Sequence, residues 1–318
     1  MIGVRLEDGR PVVRRDLPEP LPADKEALIR VLCAGICGTD LALIGGFAEF
    51  SGILGHEFLG EVIEAPGASE LSGRRVVGRI TISCGACSSC LAGRPGHCEK
   101  RRVVGIRGAD GVFAQRCCLP VANLVSVPDS VSDEAAVFAE PLAAALRITE
   151  QVRVNESDRI LVIGAGNLGQ LIARVLSGLG CRPDVVARHP GQRRRLAEEG
   201  ICWMPEGEGE PHSYDLVVEA SGGADGIAEA CRFVRPEGTV VLKSSLSGPV
   251  PVDLSDLMVR EITLIGSRCG PLDAAVEWLA CKRIDPLDLI ETRFSLTEAP
   301  AAFARAAAPG AMKVLIRC

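Results

Sequence analysis

The feature that most constrains the fold of this chain is a glycine turn between an apolar run and an amphipathic run. RILVI is followed by GAGNLG at residues 164–169, and QLIARVLSGLG continues with helical spacing. This is G-x-G-x-x-G in a strand–turn–helix context, where the first glycine permits a tight turn and the third permits close helix–strand packing. The second lets a pyrophosphate approach the backbone at the helix N-terminus. The residues expected to bind a dinucleotide are Gly164, Gly166, Asn167, Leu168 and Gly169.

The rhythm of apolar residues changes once along the chain. Residues 1–145 hold short β-type runs broken by glycine and proline, which predict a compact, barrel-like β domain. From Arg159, apolar runs alternate with amphipathic helical stretches, the pattern of a parallel sheet covered on both faces. A length of 318 residues suffices for two domains. We predict an α/β chain with a β domain, 1–145 and 271–318, and a Rossmann doubly wound parallel sheet domain, 146–270.

Four cysteines lie close together in CGACSSCLAGRPGHC. They are Cys84, Cys87, Cys90 and Cys98, two C-x-x-C steps followed by a seven-residue lobe. This spacing lets four thiolates converge on one tetrahedral ion, as a closed structural zinc site requires. The alternative is a set of buried or disulfide-bonded cysteines, against which the glycine- and proline-rich filler argues. We therefore expect a structural zinc in this lobe.

A second set of metal-ligand residue types is spread over the first domain. Cys37 lies in GICGTD, His56 and Glu57 lie in GHE, and Glu140 lies in AEPLAAA. One thiolate, one imidazole and one carboxylate can hold zinc while leaving a position open for water or substrate, which distinguishes catalytic from structural zinc sites. Taken singly, each of these residues is more often a packing or surface residue than a ligand.

The end of the second strand of the Rossmann unit indicates which dinucleotide binds. An NAD site needs an acidic side chain there to hold the ribose 2′-hydroxyl, but this strand ends VVARHP, with Ala187 or Arg188 at that position. Asp184 precedes the apolar residues and belongs to the beginning of the strand. Because Arg188 can pair with the 2′-phosphate of NADP, we expect NADP to bind better than NAD. The alternative is that these cations belong to a solvated basic helix face.

Charge and hydropathy limit the classes of partner. The net charge of −6 provides no basic stripe for nucleic acid or an acidic membrane surface, and no apolar run is long enough to span a bilayer. The start, MIGVRLEDGR, lacks the apolar stretch of a signal peptide. We expect a cytoplasmic homo-oligomer, dimer or tetramer, that binds a small molecule and has neither a nucleic-acid nor a membrane partner.

Taken together, the motifs resemble those of one enzyme family. GICGTD, GHEFLGEV, the four-cysteine lobe, DGVFAQ, AEPLAAA and GAGNLG occur in the order and approximate spacing seen in zinc-dependent medium-chain alcohol dehydrogenases, and they span nearly the whole chain. The sequence is most similar to the sorbitol and threonine dehydrogenase branch. The resemblance implies a GroES-like β-barrel catalytic domain beside the Rossmann domain. It also implies hydride transfer between NAD(P) and a secondary alcohol, polyol or sugar, giving a ketone or aldehyde.

The same resemblance implies a ligand set for a catalytic zinc, in addition to the structural zinc of the lobe. Cys37, His56 and Glu140 would be the protein ligands, because a glutamate of the EPL motif replaces the second cysteine in this branch. Glu57 would lie beside the metal and enter its coordination shell directly or through water.

Further roles follow from the resemblance alone. Asp40 would orient His56 through the second ring nitrogen, and Thr39 would accept the proton of the alcohol. Lys313 in GAMKV would contact a phosphate of the cofactor. Ala42 stands where many relatives carry a histidine of the proton relay, so the relay would end in water.

Two functions of other classes are compatible with parts of the sequence. A zinc-free quinone or enone reductase of the same fold would not need Cys37, His56 and Glu140 together. A non-catalytic nucleotide-binding redox sensor would use the surplus cysteines, for which the adjacent Cys117 and Cys118 are the indication. The joint presence of the three ligand types favours the zinc-dependent alcohol dehydrogenase.

Overall fold

The computed structural model describes residues 1–246 and 248–318. The chain divides into two compact units. The first unit comprises Met1–Glu140, Leu272–Ala308 and Lys313–Cys318, and the second comprises Pro141–Pro271 and Pro309–Met312. The return of four residues near the C-terminus to the second unit has no signal in the sequence pattern. Within the described residues, no helix combines the length and the apolar character that crossing a membrane requires.

The strands, α-helices and 3₁₀ turns of the described residues have the following bounds. The strands are β1 (Gly3–Glu7), β2 (Arg10–Arg14), β3 (Glu26–Gly35), β4 (Gly52–Ile53), β5 (Glu57–Glu64), β6 (Arg75–Gly78), β7 (Thr81–Ile82), β8 (Arg102–Val104), β9 (Gly108–Ala109), β10 (Arg116–Pro120), β11 (Leu124–Ser126), β12 (Ile160–Ile163), β13 (Asp184–Val186), β14 (Cys202–Met204), β15 (Tyr214–Glu219), β16 (Val234–Leu242), β17 (Thr263–Gly266), β18 (Ile290–Ser295) and β19 (Lys313–Arg317). The α-helices are α1 (Gly38–Ile44), α2 (Ser88–Leu91), α3 (Asp133–Ala136), α4 (Ala139–Gln151), α5 (Asn167–Gly178), α6 (Pro190–Glu198), α7 (Gly226–Phe233), α8 (Leu254–Val259), α9 (Leu272–Ala280) and α10 (Ala299–Ala306). Short 3₁₀ turns are Ser69–Leu71, Pro95–His97, Val121–Asn123, Leu287–Leu289 and Leu296–Glu298.

In the first unit, β3 lies at the centre of a seven-stranded sheet. The strand order is β11-β6-β5-β3-β19-β18, and β10 also pairs with β3. β3 is antiparallel to β5, with Val31 opposite Gly60, and to β19, with Leu315 opposite Gly35. The last strand of the chain is therefore placed inside the sheet built by the N-terminal residues, next to the end of β3 that leads to Cys37.

The alternation of side chains explains why β3 is a strand. Ala27, Ile29 and Val31 are buried, while the residues between them are partly or fully exposed. This is the period of two expected for a half-buried strand. On the same core, the Phe113 ring packs edge-on against Phe303 with the ring centroids 5.7 Å apart. Early strands and the C-terminal helix α10 thus share one core.

The second unit is built on a six-stranded parallel sheet in the order β14-β13-β12-β15-β16-β17. All four residues of β12 are buried, as expected for a strand covered on both faces. The strand order reverses between β12 and β15, and the carboxyl ends there form the crevice where ligands bind in open sheets. The predicted Rossmann-type parallel sheet is confirmed.

Three glycines shape the turn from β12 into α5. A Cβ atom on Gly164, which has φ 103°, would lie 2.6 Å from the carbonyl oxygen of Ala220. One on Gly169 would lie 1.9 Å from the carbonyl oxygen of Gly164. By contrast, a Cβ atom on Gly166 would meet nothing within 4 Å. Gly164 and Gly169 are therefore required by packing, and Gly166 leaves open space at the start of the helix.

We expect Gly169→Ala to destabilise the second unit and Gly166→Ala to leave its stability nearly unchanged. A methyl group at position 169 has to displace the backbone, which costs about 1–3 kcal/mol in an overpacked site, or roughly 4–10 °C in the unfolding midpoint of a domain of this size. Thermal unfolding followed by circular dichroism measures both variants. Equal midpoints would contradict this account of the turn.

Candidate metal centres and dinucleotide-binding edge

The loop from β3 into α1 builds the first half of a buried cluster. Cys37 is the N-cap of α1, and its sulfur accepts a hydrogen bond from the backbone N–H of Thr39 at 3.5 Å. The Asp40 side chain reaches back, and its Oδ2 accepts the backbone N–H of Cys37 at 2.9 Å. This reciprocal arrangement is a capping box with cysteine as the N-cap. GICGTD thereby fixes a thiol at the start of the helix.

The turn between β4 and β5 builds the second half of the cluster. Gly55 has φ 95°, and a Cβ atom there would lie 2.7 Å from the Phe113 ring, so a larger residue does not fit. The backbone N–H of Gly55 donates to Asp40 Oδ1 at 3.2 Å. Nδ1 of His56 lies 3.4 Å from the same oxygen. Because Asp40 is fully buried, one carboxylate joins this turn to α1.

His56 lies in a negatively charged environment. Burial alone would lower the pKa of its imidazole, but the charges of Asp40 and Cys37 outweigh burial and raise that pKa well above its ordinary value. The 3.4 Å separation from Asp40 is longer than an ordinary hydrogen bond, and Nδ1 has no closer partner in the described part of the chain. The site therefore favours a cation, either a proton on His56 or a metal ion bound between the imidazole and the thiol.

Three metal-ligand atoms converge in this cluster. One ligand atom each from Cys37, His56 and Glu57 lies within 4.8 Å of the other two. A sulfur, a nitrogen and a carboxylate oxygen are thus brought together around one point. Glu140, the carboxylate expected from the resemblance, is absent from this group as far as the described residues show. It is the second residue of α4 and is partly buried. Glu57 lies beside Cys37 and His56, and the role of Glu140 as a ligand stays a prediction.

Lys313 lies against the same cluster. It is the first residue of β19 and is only 1% exposed. Its ammonium donates to the carboxylate of Glu57 and to the carbonyl oxygen of Ile36, the latter at 3.3 Å. Burial alone would lower the pKa of Lys313, but the charge of Glu57 outweighs it and raises that pKa. The pairing of β19 with β3 thus places Lys313 beside Glu57, and its contact to a cofactor phosphate stays a prediction.

The four-cysteine segment brings its sulfur atoms together in one lobe. The sulfurs of Cys84, Cys87, Cys90 and Cys98 all lie within 4.8 Å of one another. Two pairs, Cys84–Cys98 and Cys87–Cys90, are 3.5 Å apart. This is much longer than a disulfide bond and close to the edge of a tetrahedron with zinc–sulfur bonds of about 2.3 Å, which is roughly 3.8 Å. All fourteen cysteines lie among the described residues and none forms a disulfide, so the disulfide alternative is wrong.

Hydrogen bonds from backbone N–H groups favour the thiolate form of Cys84 and Cys87. Hydrogen bonds from the backbone of Cys90 and Glu99 lower the pKa of Cys87 to about 6. Similar bonds from Ala86 and Cys87 lower the pKa of Cys84, whereas desolvation raises the pKa of Cys90 to about 11. Because thiolates are the form that binds metals, the lobe fits a zinc ion that would stabilise all four sulfurs in the charged state.

The predicted dinucleotide-binding residues lie at the carboxyl end of β12. α5 begins at Asn167 with Gly166 as its N-cap, and no side chain caps the first turn, which also holds Leu168 and Gly169. The first N–H groups of a helix have no partner within it, and together with the helix dipole they favour an anion. Oδ1 of Asn167 is buried and has no partner among the described residues. The turn therefore fits the phosphates and a ribose hydroxyl of a dinucleotide.

The end of β13 exposes a cation. Ala187 is fully buried, whereas the side chain of the next residue, Arg188, is 57% exposed and forms an ion pair with Glu206. Asp184 is the first residue of β13 and accepts a hydrogen bond from the Tyr214 hydroxyl at 2.9 Å. At the end of this strand the accessible charged group is therefore the guanidinium of Arg188.

A buried acid beside the glycine turn was missed from the sequence. Glu219 ends β15, and its Oε1 accepts hydrogen bonds from the Ser221 N–H at 2.8 Å, the Ser221 hydroxyl at 2.6 Å and the Ser244 hydroxyl at 2.9 Å. The turn held in this way begins at Ala220, whose carbonyl oxygen packs against Gly164. The available signal was an acid that ends the apolar run YDLVVE directly before a glycine-rich turn. Glu219 therefore shapes the same edge as the glycine motif.

The adjacent Cys117 and Cys118 are ordinary strand residues. They lie in β10, where neighbouring side chains point to opposite faces. Burial raises the pKa of the Cys117 thiol far above its ordinary value and that of Cys118 to about 11. Since the thiolate is the reactive form, both cysteines are poorly suited to redox sensing near neutral pH.

Comparison with known proteins agrees with this arrangement. Residues 23–129 match the alcohol dehydrogenase GroES-like domain. The chain is 31% identical over 302 residues to the starvation-sensing protein RspB of Escherichia coli, covering 89% of this chain and 88% of the relative. It is 30% identical over 280 residues to L-threonine 3-dehydrogenase of Pyrococcus horikoshii, covering 81% and 79%.

A solved structure is similar over its full length. The crystal structure of a zinc-binding dehydrogenase from Sinorhizobium meliloti, bound to NADP, has a TM-score of 0.90 and 31% identity, and the match covers 100% of this chain and 99% of that one. Together with the two units described above, these similarities confirm the predicted GroES-like and Rossmann architecture. The chain belongs to the zinc-dependent medium-chain alcohol dehydrogenases, a family of nicotinamide-dependent alcohol oxidoreductases.

Proposed function

We propose that this chain oxidises a secondary alcohol, polyol or sugar to the ketone or aldehyde, and that it catalyses the reverse reduction as well. The observation that carries the proposal is the buried group formed by Cys37, His56 and Glu57, with the Asp40 carboxylate facing His56. A structural role for these residues would not require three different metal-ligand types to converge on one point.

We propose that Cys37, His56 and Glu140 bind a catalytic zinc, with Glu57 as its neighbour. Asp40 faces Nδ1 of His56, which leaves the second ring nitrogen for the metal. The carboxylate of Glu57 is already paired with the Lys313 ammonium. That pairing supports a role for Glu57 beside the zinc, because part of its charge is neutralised.

Zinc, when bound, would act as a Lewis acid toward the substrate alcohol, and the nicotinamide cofactor would supply the hydride acceptor. The chain's own residues hold this geometry and move the proton. Thr39, whose backbone is tied to the Cys37 sulfur, offers its hydroxyl to the alcohol proton. Ala42 has no group that continues the relay along α1, so water takes the proton. Asp40 keeps Cys37 and His56 in position throughout.

We propose that a second, structural zinc binds in the cysteine lobe, which gives two zinc ions per chain. The sulfur separations of 3.5 Å and the backbone donors to Cys84 and Cys87 support this assignment. Four thiolates would fill the ligand positions of this zinc, so the site would have no open position for substrate. Its contribution is the stability of the lobe, because the free energy of metal binding there is folding free energy.

We propose that the dinucleotide binds at the turn 164–169 in a domain comprising 146–270, and that residues 1–145 and 271–318 form the catalytic domain. We further propose that NADP is preferred to NAD. The exposed guanidinium of Arg188 at the end of β13 supports this preference, because a charged hydrogen bond to the 2′-phosphate is available there.

We also propose that the chain assembles as a homo-oligomer, dimer or tetramer. Leu254, Met258 and Val259 of α8 are between 70% and 73% exposed. β17, which carries the partly exposed Leu264, is the last strand of its sheet in the described structure. Apolar side chains near an open sheet edge favour burial against another chain. The cytoplasmic location stays a prediction.

We expect Cys98→Ser to remove about one zinc per chain and to lower the stability of the lobe. Cys281→Ser, a change at an exposed cysteine outside the lobe, serves as the control and should retain the full zinc content. Inductively coupled plasma mass spectrometry on folded, gel-filtered protein measures both. Unchanged zinc content in folded Cys98→Ser would refute the structural site.

We expect Cys37→Ala and Glu140→Ala to lose zinc from the active site and to lower alcohol turnover by about a thousandfold, since the Lewis acid contributes several kcal/mol. NADPH binding should persist, because the phosphates bind at the turn after β12. Turnover, zinc content and NADPH titration are measured on each variant, again with Cys281→Ser as control. Wild-type turnover in Cys37→Ala after exhaustive chelation would contradict a zinc mechanism.

We expect the wild type to prefer NADP by about ten- to a hundredfold, from a charged hydrogen bond of about 1.5–3 kcal/mol. Arg188→Asp should reverse the order, because its carboxylate repels the 2′-phosphate and can bind the NAD hydroxyl. An acid at Ala187 is a poorer test, since that position is fully buried and would bury an unpaired charge.

The matched control for this prediction is Arg194→Asp, which makes the same charge change on the exposed face of α6. The measurement is kcat/KM for both cofactors at one alcohol concentration and one ionic strength. A wild type that prefers NAD tenfold or more would show that the preference is wrong.

A further inference from the structure

Two loops leave the second unit's sheet side by side. β13 and β14 are parallel neighbours, with Val186 opposite Met204. The backbone N–H of Ala187 continues the ladder by donating to the Met204 carbonyl oxygen at 3.0 Å. Arg188 directly follows Ala187, and Glu206 comes two residues after Met204. The register therefore brings these two side chains to the same edge.

Arg188 and Glu206 form an exposed ion pair that an anionic ligand can reach. The guanidinium nitrogen Nη2 pairs with Oε1 of the carboxylate, and the two side chains are 57% and 47% exposed. Exposed pairs of this kind contribute little to stability, because water solvates both charges well. An anion that binds Arg188 more strongly can therefore displace Glu206 from it.

The backbone next to Glu206 is held in place. The N–H of Gly207 donates to Oε1 of Glu229 at 3.3 Å, and its carbonyl oxygen accepts from Nη2 of Arg232 at 2.9 Å. Both partners lie on α7. After displacement from Arg188, the carboxylate of Glu206 thus remains tethered close to the incoming anion.

The neighbouring arginines have other contacts. Nε of Arg193 donates to the Ala187 carbonyl oxygen at 2.9 Å, and its guanidinium stacks 4.7 Å from the centre of the Trp203 ring. Arg195 donates to the Gly191 carbonyl oxygen at 3.0 Å. These two guanidinium groups bind the backbone of their own segment. Arg188 differs from Arg193 in that its described partner is a carboxylate, that of Glu206 in another loop.

We propose that Glu206 is a specificity-determining residue that lowers the affinity for NADP by competing with the 2′-phosphate for Arg188. The inference rests on the proposed function, in which the ribose of the cofactor lies at the end of β13. A phosphate ester with up to two negative charges near neutral pH must displace the Glu206 carboxylate and then remain near it. NAD presents a neutral hydroxyl at this position, so Glu206 affects its binding little.

The test is the affinity of Glu206→Gln for NADPH and for NADH, measured by fluorescence titration of the whole zinc-loaded chain without substrate. We expect NADPH to bind about fivefold more tightly than to the wild type, the size of an exposed charge interaction of up to about 1 kcal/mol, and NADH affinity to stay within about twofold. Glu208→Gln makes the same charge change in the same exposed loop and should shift neither.

A double-variant cycle isolates the pair. In an Arg188→Ala background, Glu206→Gln should no longer raise NADPH affinity by this amount, because the competed guanidinium is gone. Equal effects of Glu206→Gln and Glu208→Gln, equal effects on both cofactors, or persistence of the full effect without Arg188 would each overturn the proposal.

Failure of this inference is distinguishable from failure of the proposed function. Tighter NADPH binding by Glu206→Gln in a protein that oxidises no alcohol would support the competition and refute the activity. Alcohol turnover with NADPH affinity unchanged by Glu206→Gln would support the activity and overturn the competition.

Discussion

The candidate metal cluster of Cys37, His56 and Glu57 depends on one buried carboxylate. Asp40 accepts the backbone N–H of Cys37 through one oxygen and the backbone N–H of Gly55 through the other, and the second oxygen also faces His56. A buried carboxylate is costly unless its hydrogen bonds are made, so folding of this region requires the helix start and the turn to meet at Asp40. Their meeting is what brings a thiol and an imidazole together.

The second unit also has a buried carboxylate that needs hydrogen-bond donors, at the edge of its sheet. Glu219 is buried and satisfied by donors from Ser221 and Ser244, and the turn it holds packs against Gly164. The glycine motif alone leaves the backbone open at Gly166, but its position depends on a turn from the next strand in the sheet. In both units, a carboxylate that takes no part in the chemistry as proposed positions the backbone of a site.

Several features could be predicted because their information is local in the chain. The GAGNLG turn and the convergence of the four cysteines each involve residues only a few positions apart, where backbone geometry limits the outcome. Glu57, which was predicted beside the metal and follows His56 directly, lies in one group of ligand atoms with Cys37 and His56. The role of Glu140, far along the chain, stays a prediction.

By itself, the sequence determined the fold class, the location of the cysteine lobe, the glycine turn after β12 and the basic end of the second strand. Only the tertiary structure decided which charged side chains pair. Lys313 meets Glu57 because β19 inserts beside β3, and Arg188 meets Glu206 because β13 and β14 are in parallel register. The physical reason is that such pairs depend on strand order and register, which follow from burial of the whole core rather than from the spacing of any motif.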